Sequence, residues 1–590
     1  MKQFFKFMLA SMAGFILTML IMWFLTFILI TSMISMASKQ EVVIAPNSVL
    51  YLKFDQPIPE RSPAGPFAFS SSSFLKPTNI PGLLETLDLI ERASNDEKIS
   101  GIYLDLSDIP SGLATLEELR SALLEFKKSG KFIYAYGEVY SQKAYYLATV
   151  ADQIIVNPEG GIDFKGLTGQ VVFLKGLLDK LEINAQIIRH GKFKSAIEPF
   201  VSDKMSDANK EQTITYIGAI WNYMVDGISQ TRKIDKSTLK KAADSLWLST
   251  SEDAVELGFA DQVAYKDQVI TMLKSKIGIQ ENDKLKFVSL NKYSQQGPIK
   301  GKKRSSNKIA VIYAVGSIGG GEGNDETIGS ERISKAIRKA RLDSTIKAIV
   351  FRINSPGGSA LASDVIWREV KLASEVKPVV ASMGDYAASG GYYIACAADT
   401  IIANPTTLTG SIGVFGIVPD MKKFFNNKLG ITFDGVQTNE NSDFLTVTRP
   451  MSSYEEKVLT NQIERIYSTF IGHVAEGRSM HPSEVDSLGQ GRVWSGIDGV
   501  RINLVDDTGG LRKAIEVAAT MADLGEDYRT VGLPAQKDPF TQILEDLKGG
   551  DSDDVLKEKL GVFYSAYKEV EAITSMDRIQ ARMPYTIEIE

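Results

Sequence analysis

The chain has 590 residues, of which 44% are hydrophobic and 23% are charged, and its formal net charge is -6. This length exceeds what one hydrophobic core organises, so at least two domains are expected. The mildly acidic balance argues against nucleic acid as a main partner. The sequence holds one cysteine and three histidines, which excludes an intramolecular disulfide and makes a metal site such as zinc improbable. The same scarcity of histidine leaves a Ser-His-Asp triad poorly supplied.

The N-terminal segment is apolar enough to cross a membrane. Residues 7–38 contain no charged side chain, and about 20 apolar residues span a bilayer. Lys2 and Lys6 precede this run, which predicts a cytoplasmic N-terminus and a body on the far side of the membrane. The alternative is a cleaved signal peptide, for which Ser35-Met36-Ala37 has small residues at suitable spacing. The run exceeds the usual apolar region of about 7–15 residues, which favours an uncleaved anchor.

After this segment, short apolar runs alternate with helical periodicity in both halves of the chain. Strands are predicted at residues 49–54, 102–106, 132–136, 154–156, 309–313, 348–352, 379–382 and 401–403. Helices are predicted at residues 116–126, near 207–232 and near 453–478, the last with a capping box of Ser452 and Glu455. Short strands that alternate with helices indicate parallel βαβ units, and therefore an α/β fold.

The two halves are copies of one unit. Residues 145–158 match residues 392–405 with an offset of 247 (392 − 145), and Trp247 matches Trp494 with the same offset. A shared offset over this much pattern indicates an internal duplication. The predicted organisation is an N-terminus with a transmembrane anchor, a first repeat, a polar linker, a second repeat and a C-terminal tail, at residues 1–40, 41–292, 293–307, 308–522 and 523–590. Within the tail, helical stretches are predicted at residues 540–548 and near 555–573.

One serine in the second half lies among small residues. Ser389 belongs to the stretch 384–413, follows two alanines and precedes Gly390 and Gly391 at a predicted strand-to-helix turn. Small neighbours let a hydroxyl stand clear of other side chains, as a nucleophile requires. The structural alternative is a tight turn with an N-cap serine. The first repeat has Gln142 at the equivalent position, so this candidate nucleophile belongs to the second repeat alone.

A turn with two glycines, Pro356-Gly357-Gly358, follows a predicted strand of the second half. Such a turn can direct backbone N–H groups at a ligand, as an oxyanion hole requires. It can also be a plain turn. The first-half counterpart, residues 106–112, has lost one glycine, so the second half is again the one that keeps the pattern.

A candidate general base lies in the first half. Lys194 stands among apolar residues of the segment 193–200, and burial there would lower its pKa by disfavouring the charged form. A local alignment of the repeats puts Glu440 at its position in the second half. Each half therefore keeps one of the two groups, which makes sense if the serine and the lysine meet between the halves.

Three alternatives to this base remain open at this point. Lys194 can be a surface lysine paired with Glu198, four residues further along a helix. Lys192, two residues away, is a rival base. His190 is a third candidate, although no acid accompanies it at a recognisable spacing.

Together these motifs resemble the long-form signal peptide peptidase A family of bacterial, membrane-anchored serine proteases with a Ser/Lys dyad. Residues 384–392 are similar to its nucleophile motif and residues 193–200 to its general-base motif. The resemblance covers nearly the whole chain. It implies Ser389 as the nucleophile and Lys194, rather than Lys192, as the base. It further implies that Ser411 orients the lysine and that the N–H groups of Gly358 and Gly390 form the oxyanion hole.

The resemblance also implies a fold and a setting. The fold would be two tandem Clp-protease/crotonase-like domains of ββα superhelix type behind one transmembrane helix, with no cofactor. The protein would be a homotetramer in the bacterial inner membrane, with its body on the periplasmic side, and would cleave remnant signal peptides and similar apolar peptides. The covalent duplication favours a dyad completed within one chain.

Two other functions compete with proteolysis. Acyl-CoA chemistry occurs in the same fold superfamily but needs a cytoplasmic site and a pocket for an adenine nucleotide. A non-catalytic membrane scaffold would use the serine and glycine motifs as structural turns.

Overall fold

The computed structural model describes residues 2–37, 44–63, 81–296, 305–536 and 579–583. The helices are α1 (Lys2–Ala37), α2 (Leu83–Asn95), α3 (Leu113–Lys127), α4 (Gln142–Ala148), α5 (Lys175–Leu181), α6 (Glu198–Val201), α7 (Asp207–Arg232), α8 (Lys236–Asp244), α9 (Ser251–Glu256), α10 (Lys266–Ile277), α11 (Leu290–Ser294), α12 (Ser330–Leu342), α13 (Ala360–Ser374), α14 (Gly390–Ala395), α15 (Ser453–Arg478), α16 (Pro482–Leu488), α17 (Gly496–Arg501) and α18 (Leu511–Met521). A 3-10 turn spans Ser195–Ile197 and a π-helical turn spans Phe424–Leu429.

The strands are β1 (Ser48–Leu52), β2 (Ile99–Asp105), β3 (Phe132–Tyr140), β4 (Gln153–Ile162), β5 (Asn184–Arg189), β6 (Gln262–Val263), β7 (Phe287–Ser289), β8 (Lys308–Val315), β9 (Ile318–Gly319), β10 (Ile328–Gly329), β11 (Ile346–Ser355), β12 (Gly357–Ser359), β13 (Val379–Ala388), β14 (Thr400–Ala403), β15 (Leu408–Gly410), β16 (Phe415–Asp420), β17 (Val493–Ser495), β18 (Asp507–Thr508), β19 (Arg529–Leu533) and β20 (Ile579–Arg582).

Helix α1 contains the predicted apolar run. Its segment Lys6–Thr26 has a mean hydropathy of 2.1, and none of it is buried against the rest of the described chain. Its length matches the roughly 20 residues that cross a bilayer. The chain therefore begins with one helix that is long and apolar enough to span a membrane.

Each half builds a largely parallel sheet. The first-half sheet has the strand order β6-β4-β3-β2-β1-β7, and all of its neighbours run parallel. The second-half sheet has the order β17-β15-β13-β11-β8-β19, with β14 beside β13. Its β15–β17 pair is antiparallel. The predicted βαβ units are confirmed, and strands such as β13 extend beyond the short apolar runs that predicted them.

The duplication is visible in where equivalent elements begin. Helices α2 and α12, strands β2 and β11, helices α3 and α13, and strands β3 and β13 each start 247 residues apart (330 − 83, 346 − 99, 360 − 113 and 379 − 132). The offset that the sequence predicted is therefore also the offset of the folded elements. Ser452 and Glu455 form the predicted capping box of α15.

A third sheet joins the two halves. Its order is β10-β9-β12-β20-β16-β5, in which β5 comes from the first half and runs antiparallel to β16 of the second. Strand β20 belongs to the C-terminal tail and was not predicted. The predicted tail helices lie outside the described residues, as do residues 297–304 of the predicted linker. Helix α11 includes Tyr293, where that linker was predicted to begin.

The core of the first half continues across the boundary between the halves. Its buried apolar cluster includes Ala388, Leu408 and Val493 of the second half and Met583 of the tail. Ala388 directly precedes Ser389, so the strand that carries the candidate nucleophile packs on the first-half core.

Buried charges also connect the halves. Arg352 of β11 is fully buried, and its guanidinium contacts Glu60 at 2.8 Å and Glu118 of α3 at 3.0 Å. Glu118 in turn accepts hydrogen bonds from the Leu511 amide at 2.7 Å and from Asn404 at 3.1 Å. Burial raises the pKa of Glu118, whereas the charge of Arg352 opposes that shift. A group buried in this way is stable only while its partners remain in place.

Helix α3 of the first half is capped by a carboxylate of the second. Asp385 accepts hydrogen bonds from the amides of Ala114 and Thr115, at 2.9 and 3.2 Å, and from the Thr115 hydroxyl at 3.0 Å. The first turn of a helix has free N–H donors, and a carboxylate satisfies them well. A Cβ at Gly112 would lie 2.1 Å from the Asp385 carboxyl group, so this position has room only for glycine.

We expect Arg352→Ala to lower the thermal midpoint of the full chain in detergent, because it leaves two buried carboxylates without their cation. Loss of one partner from such a cluster costs about 3–5 kcal/mol. Lys128→Ala is the matched control, since Lys128 pairs with Glu125 on the surface, where both side chains are about two-thirds exposed. The control pair contributes about 1 kcal/mol or less. Equal effects of the two variants would contradict a bridging role for Arg352.

Candidate active site

Ser389 occupies the single position between β13 and α14. Its backbone has φ 54° and ψ −114°, which is an uncommon conformation for a residue other than glycine. Its amide donates to the Gly410 carbonyl at 2.8 Å, and its carbonyl accepts from the Tyr393 amide at 2.8 Å. These bonds hold the strained turn at the point where strand becomes helix.

Lys194 reaches this serine from the first half. It lies in the segment after β5, at the start of the 3-10 turn Ser195–Ile197. Its Nζ is 2.8 Å from Ser389 Oγ and 3.1 Å from both Oγ and the carbonyl oxygen of Ser411. All three residues are fully buried. The structure therefore brings together three of the five residues that the sequence singled out, across 195 positions of chain for the closest pair.

Two glycines and an amide side chain fix the lysine. A Cβ at Gly491 would lie 2.6 Å from Lys194 Cβ, and one at Gly413 would lie 3.2 Å from its Cδ, so the lysine stem runs past bare backbone. Gln212 of α7 donates to the Phe193 carbonyl at 3.1 Å and accepts from the Val493 amide at 3.1 Å. It thereby ties the lysine segment to the second half.

The surroundings of Lys194 favour its neutral form. Burial lowers the pKa of its amine well below the ordinary 10.5. Within the described part of the chain, it makes no ion pair. The carboxylate of Glu198 instead accepts from Ser206 and Asn209, so the interpretation of Lys194 as a surface lysine paired with Glu198 is wrong.

The two rival bases lie elsewhere. Lys192 is largely exposed and pairs with Glu211 at 3.8 Å. The ring of His190 contacts Glu464 at 2.8 Å and stacks on Tyr467. The polar contacts of Ser389 Oγ go to Lys194 and, at 3.4 Å, to the Gly413 carbonyl oxygen.

The amide nitrogens of the two predicted oxyanion donors lie close together. A Cβ at Gly390 would lie 3.1 Å from the Gly358 amide nitrogen, and a Cβ at Gly357 would lie 2.7 Å from the Gly390 amide nitrogen. Gly357 has φ 100°, in the region that favours glycine. The two-glycine turn therefore brings the Gly358 and Gly390 amides close together beside Ser389. Within the described residues, no cluster of three or more His, Cys, Asp or Glu side chains could hold a metal ion.

Comparisons with known proteins identify a protease family. The family model "Peptidase family S49" matches residues 125–280 and 371–525, once in each repeat. The chain belongs to peptidase family S49. A second model, "ClpP-like SDH-type serine proteinase", matches residues 300–421 and confirms the predicted Clp-protease-like fold.

Three relatives illustrate how far the similarity to S49 proteins extends. "Protease 4" of Salmonella typhi is 36% identical over 452 residues, which cover 75% of this chain and 72% of that protein. "Protease 4" of Haemophilus influenzae is 34% identical over 468 residues, or 77% and 76%. "Serine protease SPPA, chloroplastic" of Arabidopsis thaliana is 34% identical over 520 residues, or 87% and 75%. This S49 chain is a serine protease of the signal peptide peptidase A type, which disfavours acyl-CoA chemistry and a purely structural role.

The equivalent position in the first repeat of this S49 chain is closed. Gln142 is buried, accepts from the amides of Lys165 and Gly166, and donates to the Gly166 carbonyl at 3.0 Å. Gly166 corresponds to Gly413 by the offset of 247 (413 − 166). The side chain at this position thus donates to the equivalent glycine carbonyl in both repeats, Gln142 to Gly166 and Ser389 to Gly413.

Sequence reasoning missed several residues that build the site. Gln212 and Gly491 fix the lysine, and Asp385 joins the nucleophile strand to α3. Gly491 stands in a short Gly-Gln-Gly run, and Asp385 is a carboxylate inside the small-residue stretch before Ser389. Both are visible signals, but their partners lie hundreds of residues away and no local pattern identifies them.

The strained turn at Ser389 generates a prediction about stability. Ser389→Gly should be more stable than Ser389→Ala by about 1 kcal/mol or more, because glycine adopts positive φ without a steric cost. At Ser121, an exposed position within α3, the order should reverse, with alanine more stable by about 1 kcal/mol. Thermal unfolding of the four full-length variants in detergent measures both differences. Alanine as the more stable residue at both positions would show that Ser389 carries no strain.

Proposed function

We propose that this chain is a membrane-bound serine endopeptidase in which Ser389 is the nucleophile and Lys194 the general base, and that it cleaves remnant signal peptides and similar apolar peptides. The observation that carries the proposal is the 2.8 Å contact between two fully buried groups. One is an amine that has no counter-ion among the described residues, and the other is a hydroxyl on a strained turn. An amine in that setting is a base, and a hydroxyl beside a base is an activated nucleophile.

A neutral amine can satisfy the contacts of Lys194; its three oxygen neighbours would also suit the three donors of an ammonium, and the lowered pKa favours the neutral form. A neutral amine has two N–H groups and one lone pair, whereas an ammonium has three donors and no acceptor. The Ser411 carbonyl can only accept, so it takes one N–H. The Ser411 hydroxyl takes the other, which leaves the lone pair for the proton of Ser389. Ser411 would thus orient the amine toward the nucleophile.

The reaction then follows the acyl-enzyme route. Lys194 removes the proton from Ser389 Oγ as this oxygen attacks a peptide carbonyl, and the amides of Gly358 and Gly390 stabilise the oxyanion. The lysine gives its proton to the leaving amine. A water molecule then gives a proton to Lys194 and attacks the ester. Lys194 returns that proton to Ser389 Oγ, and the acyl fragment leaves with the new carboxyl group.

The groove beside the site supports a peptide substrate in extended form. Strands β12 and β16 flank the space next to Ser389, and strand β20 lies between them, antiparallel to both. A bound peptide would pair with them in the same way, so that affinity comes from the main chain. Helix α1 would hold this groove near a bilayer, where apolar signal peptides remain after their release from preproteins.

The location and the assembly complete the proposal. We place the anchor in the bacterial inner membrane with the body on the periplasmic side. We also propose that the protein assembles as a homotetramer. Exposed apolar side chains in one segment of the second half, namely Leu429, Ile431, Phe433 and Val436, support contact between copies of the chain.

Separate Ser389→Ala and Lys194→Ala variants of the full chain should each abolish hydrolysis of a synthetic apolar signal peptide in detergent, measured by mass spectrometry of the products. A peptide of the same length with charged residues across its apolar region should be a poor substrate for the unmodified enzyme. Rapid cleavage of the charged peptide would contradict the substrate class and leave the dyad intact.

Lys192→Ala is the control for the base, because Lys192 lies two residues from Lys194 but is largely exposed. It should keep near-normal turnover. Normal peptide turnover by the Lys194→Ala variant would contradict the dyad. Loss of turnover in the Lys192→Ala variant would contradict it as well.

The pH dependence follows from the direction of the Lys194 pKa. The base works only when neutral, so kcat/KM should fall as pH falls through the lowered pKa, by about tenfold per pH unit along that limb. The midpoint should lie well below the ordinary lysine value of 10.5. Because the unfolded chain keeps this proton up to that ordinary value, the free energy of unfolding should rise with pH between the lowered pKa and 10.5, which is the pH range above the activity limb. Activity that first rises near pH 10.5 would show that the lysine is not desolvated.

A further inference from the structure

Strand β13, which leads to Ser389, bulges where it pairs with β11. The two parallel strands place Ile353 opposite Met383 and then Ser355 opposite Ala387, so that one intervening residue of β11 stands opposite three of β13. A bulge bends its strand and re-aims the residues beyond it, and bulges are frequent next to active sites. This bulge therefore sets the direction of the chain shortly before the candidate nucleophile.

The intervening residue of β11 is Asn354, and its side chain lies in the bulge. Its Oδ1 accepts from the Tyr386 amide at 3.1 Å, and its Nδ2 donates to Glu60 Oε1 at 2.9 Å. A backbone N–H can only donate and a carboxylate can only accept, so these two partners fix the orientation of the side-chain amide. Gly384 leaves room for it, because a Cβ at that position would lie 3.0 Å from Asn354 Cγ. The side chain thus supplies a hydrogen bond where the bulge interrupts the ladder.

The bulge is also the place where β13 changes its neighbour on the other edge. Before the bulge, residues 380–383 pair with β14, and after it, residues 386–388 pair with β15. Strand β15 leads directly to Ser411, which contacts the lysine, whereas β11 leads to the turn that contains Gly358. The position of the bulge therefore sets Ser389 relative to the oxyanion turn on one side and to the lysine contacts on the other.

The two repeats differ at this position. The counterpart of Asn354 in the first repeat is Ser107 (354 − 247), just as the counterpart of Ser389 is Gln142. There, the equivalent strands β2 and β3 pair in one continuous register. The side-chain amide, the bulge and the candidate nucleophile therefore occur together in the second repeat.

We propose that Asn354 is a positioning residue, whose side chain holds the bulge of β13 and thereby sets Ser389 Oγ relative to the oxyanion amides of Gly358 and Gly390. This inference rests on the proposed Ser/Lys function. Binding of the intact peptide uses the edges of β12 and β16, whereas the oxyanion forms only in the transition state. Loss of the Asn354 side chain should therefore weaken binding of the transition state and leave binding of the peptide unchanged.

The test uses two inhibitors of one apolar peptide sequence, one ending in an aldehyde and the other in the corresponding alcohol. Ser389 Oγ adds to the aldehyde carbon while its proton passes to Lys194, which places the aldehyde oxygen at the oxyanion amides. The alcohol binds without a bond to the serine.

For Asn354→Ala, made in the full chain in detergent, kcat/KM for the apolar peptide should fall about 10- to 100-fold, somewhat less than the loss of a whole oxyanion donor. The inhibition constant of the aldehyde should rise by the same factor, and that of the alcohol should stay unchanged. An inhibition constant does not depend on the fraction of enzyme that is folded, so a loss of stability alone would not produce this result.

Asn157→Ala is the matched control. Asn157 lies in a bulge of the first repeat, where the register between β3 and β4 shifts. Its side chain accepts from the Glu159 amide at 3.0 Å and donates to the Tyr136 hydroxyl at 3.1 Å. This variant should lower the thermal midpoint and leave both inhibition constants at the values of the unmodified enzyme.

Asn354→Asp is the conservative variant, and it provides the test where Asn354→Ala does not fold. A neutral carboxyl group can accept from the Tyr386 amide and donate to Glu60, as the amide does. An ionised one would add a charge beside Glu60 and Asp385, whose Oδ2 is 3.5 Å from Asn354 Nδ2. Relative to the unmodified enzyme at the same pH, aldehyde binding by Asn354→Asp should therefore recover as the pH is lowered, and aldehyde binding by Asn354→Ala should not.

The outcomes separate the two proposals. Normal aldehyde binding by Asn354→Ala, or weakened binding by Asn354→Asp that does not recover at low pH, would overturn the positioning role. The dyad would stand in either case, provided that the unmodified enzyme cleaves the apolar peptide. An unmodified enzyme that neither cleaves the peptide nor binds the aldehyde more tightly than the alcohol would overturn the proposed function, and this inference with it.

Discussion

The proposed site depends on the burial of one amine, Lys194, for which the described residues supply no counter-ion. Contact with water or with a carboxylate would favour the protonated form of Lys194. A lysine that acts as a base therefore needs surroundings that exclude water and hydrogen-bond partners that carry no charge. The fold supplies both from the second half. Gly413 and Gly491 let bare backbone lie against the lysine stem, and Ser411 gives a carbonyl and a hydroxyl. The pocket therefore exists only while the two halves are in contact, and their interface is part of the proposed active site.

This requirement accounts for the polar character of the interface. A purely apolar contact would tolerate small shifts, whereas the Lys194–Ser389 contact has to be held at hydrogen-bond distance. Asp385 fixes the start of α3 to the strand that precedes Ser389, and Arg352 joins Glu60 and Glu118 across the same boundary. Buried ionic groups are poor sources of net stability, but they accept few alternative arrangements. We infer that they fix the register between the halves, while the apolar cluster around Ala388 supplies the burial energy.

Much of the fold could be predicted from local sequence patterns. Apolar periodicity and the offset of 247 gave the parallel units and the equivalence of the repeats, because these depend on residues close in sequence or on repetition itself. The pairing of Ser389 with Lys194 was reachable since each repeat lacks what the other keeps. The Gly112–Asp385 contact and strand β20 were not reachable. In the sequence, Gly112 is typical of an ordinary turn. The residues of β20, Ile-Gln-Ala-Arg, show no clear alternation of apolar and polar side chains. In each case the residues that fix the structure lie far away in the sequence. The edge of a strand that pairs with an added segment has no sequence pattern that would reveal this pairing.

The first repeat has Gln142 at the position of Ser389, which explains why only the second repeat has the proposed nucleophile. An unused site would leave the backbone at Lys165 and Gly166 without partners, and a buried unpaired amide or carbonyl is costly. Gln142 satisfies that backbone with a single side chain that both donates and accepts, at the position where the second repeat has its serine. The first repeat instead contributes Lys194. This residue lies on the segment after β5, which contacts the second repeat. Duplication followed by complementary loss thus turns two similar folds into the two sides of one pocket, and the covalent link between them ensures that both sides are always present together.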